Sequence, residues 1–242
     1  MSVILGAIVY IAIQYEFSRF AIRIKTSYQN AYLAISLLLL PLIIFGGFSY
    51  FCFGLAIVSL LLFAGVICII EREPDVVSLS ELLLALGVGV AYIGVLGSIL
   101  PYALLKLPTN ITIWTVVVVS VSDTAAFFGG SFFGGRKLAP RISPNKTVSG
   151  MISGIVVSFV VGVLLGNWFL TELPIYFVAL SAIVVSISGI FGDLAESVVK
   201  RTFSIKDSSS LLPGHGGVLD RVDALLFAVP CALLLVKFSG VF

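Results

Sequence analysis

Charge is what this 242-residue chain has least of: lysine, arginine, aspartate and glutamate together make up 11% of it, against about 25% in an average soluble domain. With 60% hydrophobic residues and a mean hydropathy of +1.19, a water-soluble globule is excluded. The single histidine and three cysteines are equally telling. Cys52, Cys68 and Cys231 all sit in apolar runs without the paired spacing of a zinc or redox motif, and they are expected to be small buried hydrophobes. A net charge of +2 is too small to suggest a nucleic-acid partner. No basic n-region precedes the first apolar segment, so no removable leader is expected.

What the chain has is length of apolar sequence. Thr26 to Ile70 is 45 residues without a formal charge, and about 20 apolar residues span a bilayer as helix. Apolar runs between polar punctuation predict eight spans, near 2–15, 31–46, 49–70, 82–105, 111–128, 148–170, 173–192 and 222–241. The first is short and the second contains Pro41, so seven to nine remain open. The predicted class is therefore all-α, a polytopic integral membrane protein. Val-rich stretches such as Val116–Val119 belong to helices as well, because a lipid-exposed strand leaves backbone polar groups unsatisfied. No repeat or long soluble linker divides the chain, so one membrane domain over 1–242 is expected. Residues 1–110 would be mainly lipid-embedded scaffold, and 111–242 would carry the chemistry.

The few charges are unevenly placed. With the spans numbered this way, twelve of the 14 basic residues fall on one side and only Lys106 and Lys237 on the other. The positive-inside rule makes that side cytoplasmic and puts both termini outside. Two stretches, Asp123–Lys146 and Asp193–Asp223, cover 55 residues and hold fourteen of the 26 charges. Polar chemistry is therefore expected in the C-terminal half, on the cytoplasmic side.

The second stretch reads DLAESVVKRTFSIKDSSSLLPGHGGVLDRVD. Asp193, Glu196, Ser197 and Lys200 share one helix face, and Asp220 and Asp223 share another at the opening of the last span. Carboxylates gathered at a membrane boundary repel one another unless a cation lies between them, and hard oxygens of this kind favour Mg²⁺. The simpler alternative is that Asp220 and Asp223 pair with Arg221 or Lys200 and favour the positive end of a helix. Between the acids, Leu212-Pro213-Gly214-His215-Gly216-Gly217 is a turn whose N–H groups suit a phosphate, or else a plain connection between spans. His215 is as readily structural as catalytic.

The first stretch reads DTAAFFGGSFFGGRKLAPRISPNKTVSG over 123–150. Asp123 is a lone charge in an apolar span, a costly position that marks it as functional. Arg136, Lys137, Arg141 and Lys146, with the hydroxyls of Ser143 and Thr147, suit a polyphosphate. They equally suit anionic lipid head groups. Gly129, Gly130, Gly134 and Gly135 do not make a P-loop, because Arg136 and Lys137 stand where Lys and Ser/Thr are required. Close helix packing accounts for these glycines at least as well.

Ser197, Lys200, Arg201, Lys206, Asp207, Pro213, His215, Gly216, Gly217, Asp220, Arg221 and Asp223 follow the pattern S-x-x-K-R, four residues, K-D, a short spacer, then P-x-H-G-G-x-x-D-R-x-D. In this the chain resembles the phosphatidate cytidylyltransferases, or CDP-diacylglycerol synthases. Asp123-Thr124 and Lys137-Leu138-Ala139-Pro140-Arg141-Ile142-Ser143-Pro144-Asn145-Lys146-Thr147 resemble a second stretch of bacterial members. One departure is Ser149, where many relatives carry Glu in Trp-Glu-Gly.

The resemblance implies the reaction CTP + phosphatidic acid → CDP-diacylglycerol + pyrophosphate, in an all-helical homodimer of a bacterial plasma membrane with its site facing the cytoplasm. It implies Asp193, Asp220 and Asp223, with Asp123 as a weaker fourth, as ligands of Mg²⁺, with or without a second cation. Lys200, Arg201, His215 and Arg221 join those acids as catalytic residues. The resemblance further implies that Lys137, Arg141, Ser143, Lys146, Thr147, Ser197, Lys206, Asp207, Gly216 and Gly217 bind substrate. Two rivals use similar residues: a CTP-dependent lipid-alcohol kinase, which would transfer the γ-phosphoryl, and a cation-coupled transporter built on Asp123 and Asp193. The transporter predicts acids near the midplane of broken helices with few basic neighbours. A CDP-alcohol transferase is disfavoured because no D-G-x2-A-R motif is present.

Overall fold

A computed structural model describes residues 2–22, 26–72, 79–214 and 216–239. Its elements are α1 (Ser2–Ala21), α2 (Thr26–Ser36), α3 (Leu39–Arg72), α4 (Leu79–Val88), a π-helical turn (Gly89–Leu96), α5 (Gly97–Lys106), α6 (Thr109–Phe133), β1 (Lys137–Ala139), β2 (Ser143–Thr147), α7 (Val148–Phe169), α8 (Ile175–Thr202) and α9 (Leu219–Ser239). Seven helical stretches among the described residues are long and apolar enough to cross a membrane, and Gly54–Ile69 is a shorter apolar helix. The chain is an all-α polytopic membrane protein, with one short hairpin as its only described sheet.

The expected break between the second and third spans lies inside α3. A straight helix would hold Leu42 and Gly54 about 18 Å apart, yet the Leu42 side chain packs directly on Gly54, so the run doubles back between them. Pro41 sits in the first turn of α3, where its missing N–H leaves no hydrogen bond unmade. Other helices outrun their expected spans. α1 continues to Ala21 and α8 to Thr202, and of the polar residues in these extensions Glu16, Ser18 and Glu196 are buried whereas Arg19, Arg201 and Thr202 are exposed. The cysteines need correction. Cys52 and Cys68 are exposed and only Cys231 is half-buried, accepting a hydrogen bond from Ser188 Oγ at 3.1 Å. In a membrane protein the outer face is lipid, and a thiol loses nothing there.

The chain packs as two units. One comprises Met1–Tyr102 with Phe203–Asp220, the other Ala103–Thr202 with Arg221–Phe242. In the first, Tyr10, Ile13 and Phe17 of α1 are fully buried. A polar relay ties α1 to α2: Tyr32 Oη donates to Gln14 Oε1 (3.0 Å), Gln14 Nε2 donates to Tyr10 Oη (3.0 Å), and Tyr10 Oη donates to the Ser36 carbonyl (2.9 Å). Such groups must satisfy one another where no water reaches them. Phe203 packs edge-on against Phe17 and Phe20, binding the segment after α8 to α1.

The second unit is built on small residues. Gly150, Gly154, Ser158, Gly162 and Gly166 recur every four residues of α7 and are all buried, whereas Ile152, Val156, Val160 and Leu164 on the opposite face are exposed. This is the sequence logic of close packing between membrane helices. A Cβ on Gly154 would lie 2.9 Å from the Ser122 carbonyl of α6, and one on Gly162 would lie 2.9 Å from Ala182 Cβ of α8. Trp114 Nε1 donates to the Gly162 carbonyl (2.8 Å), and Ser122 and Ser186 hydroxyls meet at 2.9 Å, so α6, α7 and α8 are pinned by hydrogen bonds as well. Gly129 and Gly130 of α6 face α7 in the same way, which is the packing role expected for them.

Gly154→Val should therefore force α6 from α7 and cost roughly 1–3 kcal/mol. Thermal unfolding in detergent should show a lowered midpoint, while Val156→Leu on the exposed face leaves it unchanged.

Candidate active site

The site in the second unit begins where α6 ends. Gly134 (φ +58°) and Gly135 (φ +95°) take left-handed conformations that L side chains rarely adopt, and Gly134 N–H closes the helix on the Gly130 carbonyl at 3.1 Å. The chain then enters an antiparallel hairpin that pairs Lys137 with Thr147 and Ala139 with Ser143. Arg201 at the end of α8 holds the hairpin by donating from Nε to the Ile142 carbonyl (3.2 Å). Thr147 starts α7 as its N-cap, accepting from Gly150 N–H at 3.1 Å. Ser149, at the position where the family pattern has Glu, donates to the Gly134 carbonyl and ties the first turn of α7 to the end of α6.

This turn-and-hairpin frames a cavity of about 560 Å³ whose lining includes Asp123, Lys137, Asn145, Lys146, Thr147 and Asp193. Its size suits a small-molecule substrate, for which about 300–1,000 Å³ is usual. Lys146 is ion-paired with Asp193 at the cavity wall.

Asp193 also belongs to a carboxylate group with Glu196 and Asp223, whose oxygens lie within 4.8 Å of one another. One helical turn separates Asp193 from Glu196, and Asp223 comes from α9. The two helices approach closely because Gly192 has no side chain: a Cβ there would meet the Asp223 carbonyl at 2.5 Å. Glu196 is 1% exposed, and its Oε2 is 2.6 Å from Lys200 Nζ one turn on. Asp223 Oδ1 accepts from Ala224 N–H at 2.8 Å. Three carboxylates from two helices, hard donors all, form a set that fits a divalent cation such as Mg²⁺.

The predicted residues thus separate. Asp193 and Asp223 come together with Glu196, which was read onto the Asp193 face but not among the ligands. Asp123 lines the cavity with Asp193 and Lys146. Asp220 is engaged elsewhere, its Oδ2 accepting from Ser208 N–H (3.0 Å) and Gly217 N–H (2.8 Å), with the Ser208 hydroxyl, whose one proton it shares with Glu16, at 3.1 Å. Ser197 is half-buried on α8, and Ser143 is half-buried on β2. Arg141, Lys206, Asp207 and Arg221 are exposed, and Gly216 is half-buried. His215 lies outside the described residues, as do Arg23 and Lys25 of the basic tally.

A family profile described as the cytidylyltransferase family matches residues 1–239. The chain belongs to the cytidylyltransferase family. It is 41% identical over 141 residues to a phosphatidate cytidylyltransferase of Staphylococcus haemolyticus strain JCSC1435, covering 58% of this chain and 54% of that protein. It is 42% identical over 127 residues to that of Bacillus subtilis strain 168 (52% and 47%), and 49% identical over 131 residues to that of Brucella suis biovar 1 strain 1330 (54% and 47%). The chain spans about half the length of the curated relatives it matches, and membership agrees with the resemblance read from its signature.

Two acids are not among the site residues expected from sequence. Glu196 carried a signal, its spacing of three from Asp193. Glu16 carried another, as a lone acid in the apolar α1; it is 1% exposed, and four groups of the 208–219 segment donate to it.

Lys200→Met should remove the cation paired with the buried Glu196 carboxylate and cost roughly 3–5 kcal/mol, the usual penalty for breaking a buried pair. Adding Glu196→Gln should recover part of that loss in a double-mutant cycle followed by thermal unfolding.

Proposed function

We propose that the chain is a phosphatidate cytidylyltransferase, converting CTP and phosphatidic acid to CDP-diacylglycerol and pyrophosphate. The observation that carries the reading is the Asp193–Glu196–Asp223 carboxylate group beside a cavity lined by Lys137 and Lys146, in a chain of this family. Acids with basic neighbours suit a phosphate substrate better than the acid-only midplane site of a transporter.

In the reaction an oxygen of the lipid phosphate attacks the α-phosphorus of CTP. The bond from that phosphorus to the α,β-bridging oxygen breaks, and pyrophosphate leaves with the electron pair. The nucleophile is already an anion, so no strong general base is required. The residues have to bring two anions together in line and neutralise the charge that develops. Lys137 and Lys146 face the cavity and counter the triphosphate. Arg201 keeps the hairpin that bears them in place, and Lys200 pairs with Glu196 one turn away. Mg²⁺ held by Asp193, Glu196 and Asp223 supplies Lewis-acid neutralisation of phosphoryl oxygens when bound. The homodimer, the bacterial plasma membrane and the cytoplasmic orientation belong to the same proposal, the last because CTP arrives from water and the positive-inside count puts both polar stretches on that side.

Purified protein given Mg²⁺, phosphatidic acid and CTP labelled at the α-phosphate should transfer the label to lipid, and label at the γ-phosphate should leave in pyrophosphate. Asp193→Asn and Asp223→Asn should each lower kcat at least a hundredfold. Lipid labelled from the γ-position would instead establish a kinase.

A further inference from the structure

The strongest feature outside the cavity is the environment of Glu16. It lies in α1, about 200 positions from the segment it contacts, and is 1% exposed. Its Oε1 accepts from Ser209 Oγ at 2.7 Å and Val218 N–H at 2.8 Å. Its Oε2 accepts from Ser208 Oγ at 3.0 Å and Leu219 N–H at 2.9 Å. Both oxygens are therefore doubly used, and two of the four donors are backbone N–H groups at the start of α9. Together with Asp220, which takes Gly217 N–H, internal carboxylates occupy three successive N–H groups, the first of which belongs to the turn that suits a phosphate by sequence.

The same contact explains a glycine of the signature. A Cβ on Gly217 would lie 2.7 Å from Glu16 Oε2, 2.9 Å from Oε1 and on top of Ser208 Oγ, so only glycine fits beside the acid. A buried charge of this kind is a poor way to gain stability, because a well-packed apolar replacement often does as well. It is a good way to impose one geometry, since two of its four donors, the Val218 and Leu219 N–H groups, are fixed in direction by the backbone.

We propose that Glu16 is a positioning residue for the nucleotidyl transfer. It holds Ser208, Ser209, Val218 and the first turn of α9, so that Gly217 and Asp220 of the signature are set before substrate arrives. The proposal rests on the reading above, and it assigns α1 a part in the reaction that lies outside the signature. The carboxylate touches no reacting atom; it acts through Ser208, Gly217 and the start of α9, the helix that continues to Asp223.

Glu16→Gln is the sharp variant. It keeps the shape of the side chain but removes the charge and turns an amide N–H₂ against two of the four donors. Two readouts are needed: steady-state kinetics with CTP and phosphatidic acid, and the rate of trypsin cleavage after Lys206, which is exposed just ahead of the clamped segment. Tyr10→Phe, which removes the α1 contact to the Ser36 carbonyl without touching that segment, serves as the control for general loosening of α1. Glu16→Gln should lower kcat at least tenfold with KM for CTP changed less than threefold, and should speed cleavage after Lys206 at least fivefold. Glu16→Asp, which keeps the charge, should recover part of both, and Tyr10→Phe should reproduce neither. Wild-type kcat or unchanged cleavage in Glu16→Gln overturns the proposal, as does an equal effect in Tyr10→Phe. Should the wild-type protein form no CDP-diacylglycerol, the functional reading falls, and the cleavage rates alone then decide whether Glu16 clamps the segment.

Discussion

A carboxylate in apolar surroundings has to find either a cation or a set of fixed N–H and O–H donors, because desolvating it alone costs far more than any single contact returns. Both solutions occur here, and much of the molecule is organised around them. Asp193 and Glu196 are matched by Lys146 and Lys200. Glu16 and Asp220 are matched by the N–H groups and serine hydroxyls of one segment. The first arrangement leaves acids gathered where a divalent ion fits, and the second consumes its acids in holding backbone. Four similar residues in an apolar chain thus have two different uses, set by what surrounds them.

The helices bring those acids together by having little on their contact faces. Without a hydrophobic drive between helices in lipid, association rests on close approach and hydrogen bonds. The Gly150–Gly166 row of α7 and Gly192 of α8 supply the approach. Gly192 shows the coupling between packing and chemistry most directly, since any side chain there would push away the stretch of α9 that carries Asp223. The hairpin between α6 and α7 adds a polar edge to this apolar assembly, with Lys137 and Lys146 on its two strands.

Much of this was legible in advance. The membrane class, the helical spans and the family followed from composition, apolar run length and signature spacing, all of which are local. Asp193 could be placed with Glu196 because helix periodicity is local too. The role of Asp220 was not legible, for its spacing from Asp223 suggests a shared task, while its carboxylate turns to Ser208 and Gly217. The break within α3 was legible between the expected spans 31–46 and 49–70, but not the packing of Leu42 on Gly54.

By itself the sequence determined that the protein lives in a membrane, that its scarce charges concentrate in two stretches, and which chemistry those stretches resemble. Only the tertiary structure decided which acids share a site. It joined Asp223 to Asp193 and Glu196, and it brought Glu16 from the first helix to the start of the last. Spacing along a chain reports neighbours within one helix, whereas the satisfaction of a buried charge is settled by whichever donors the fold carries to it, however distant in sequence.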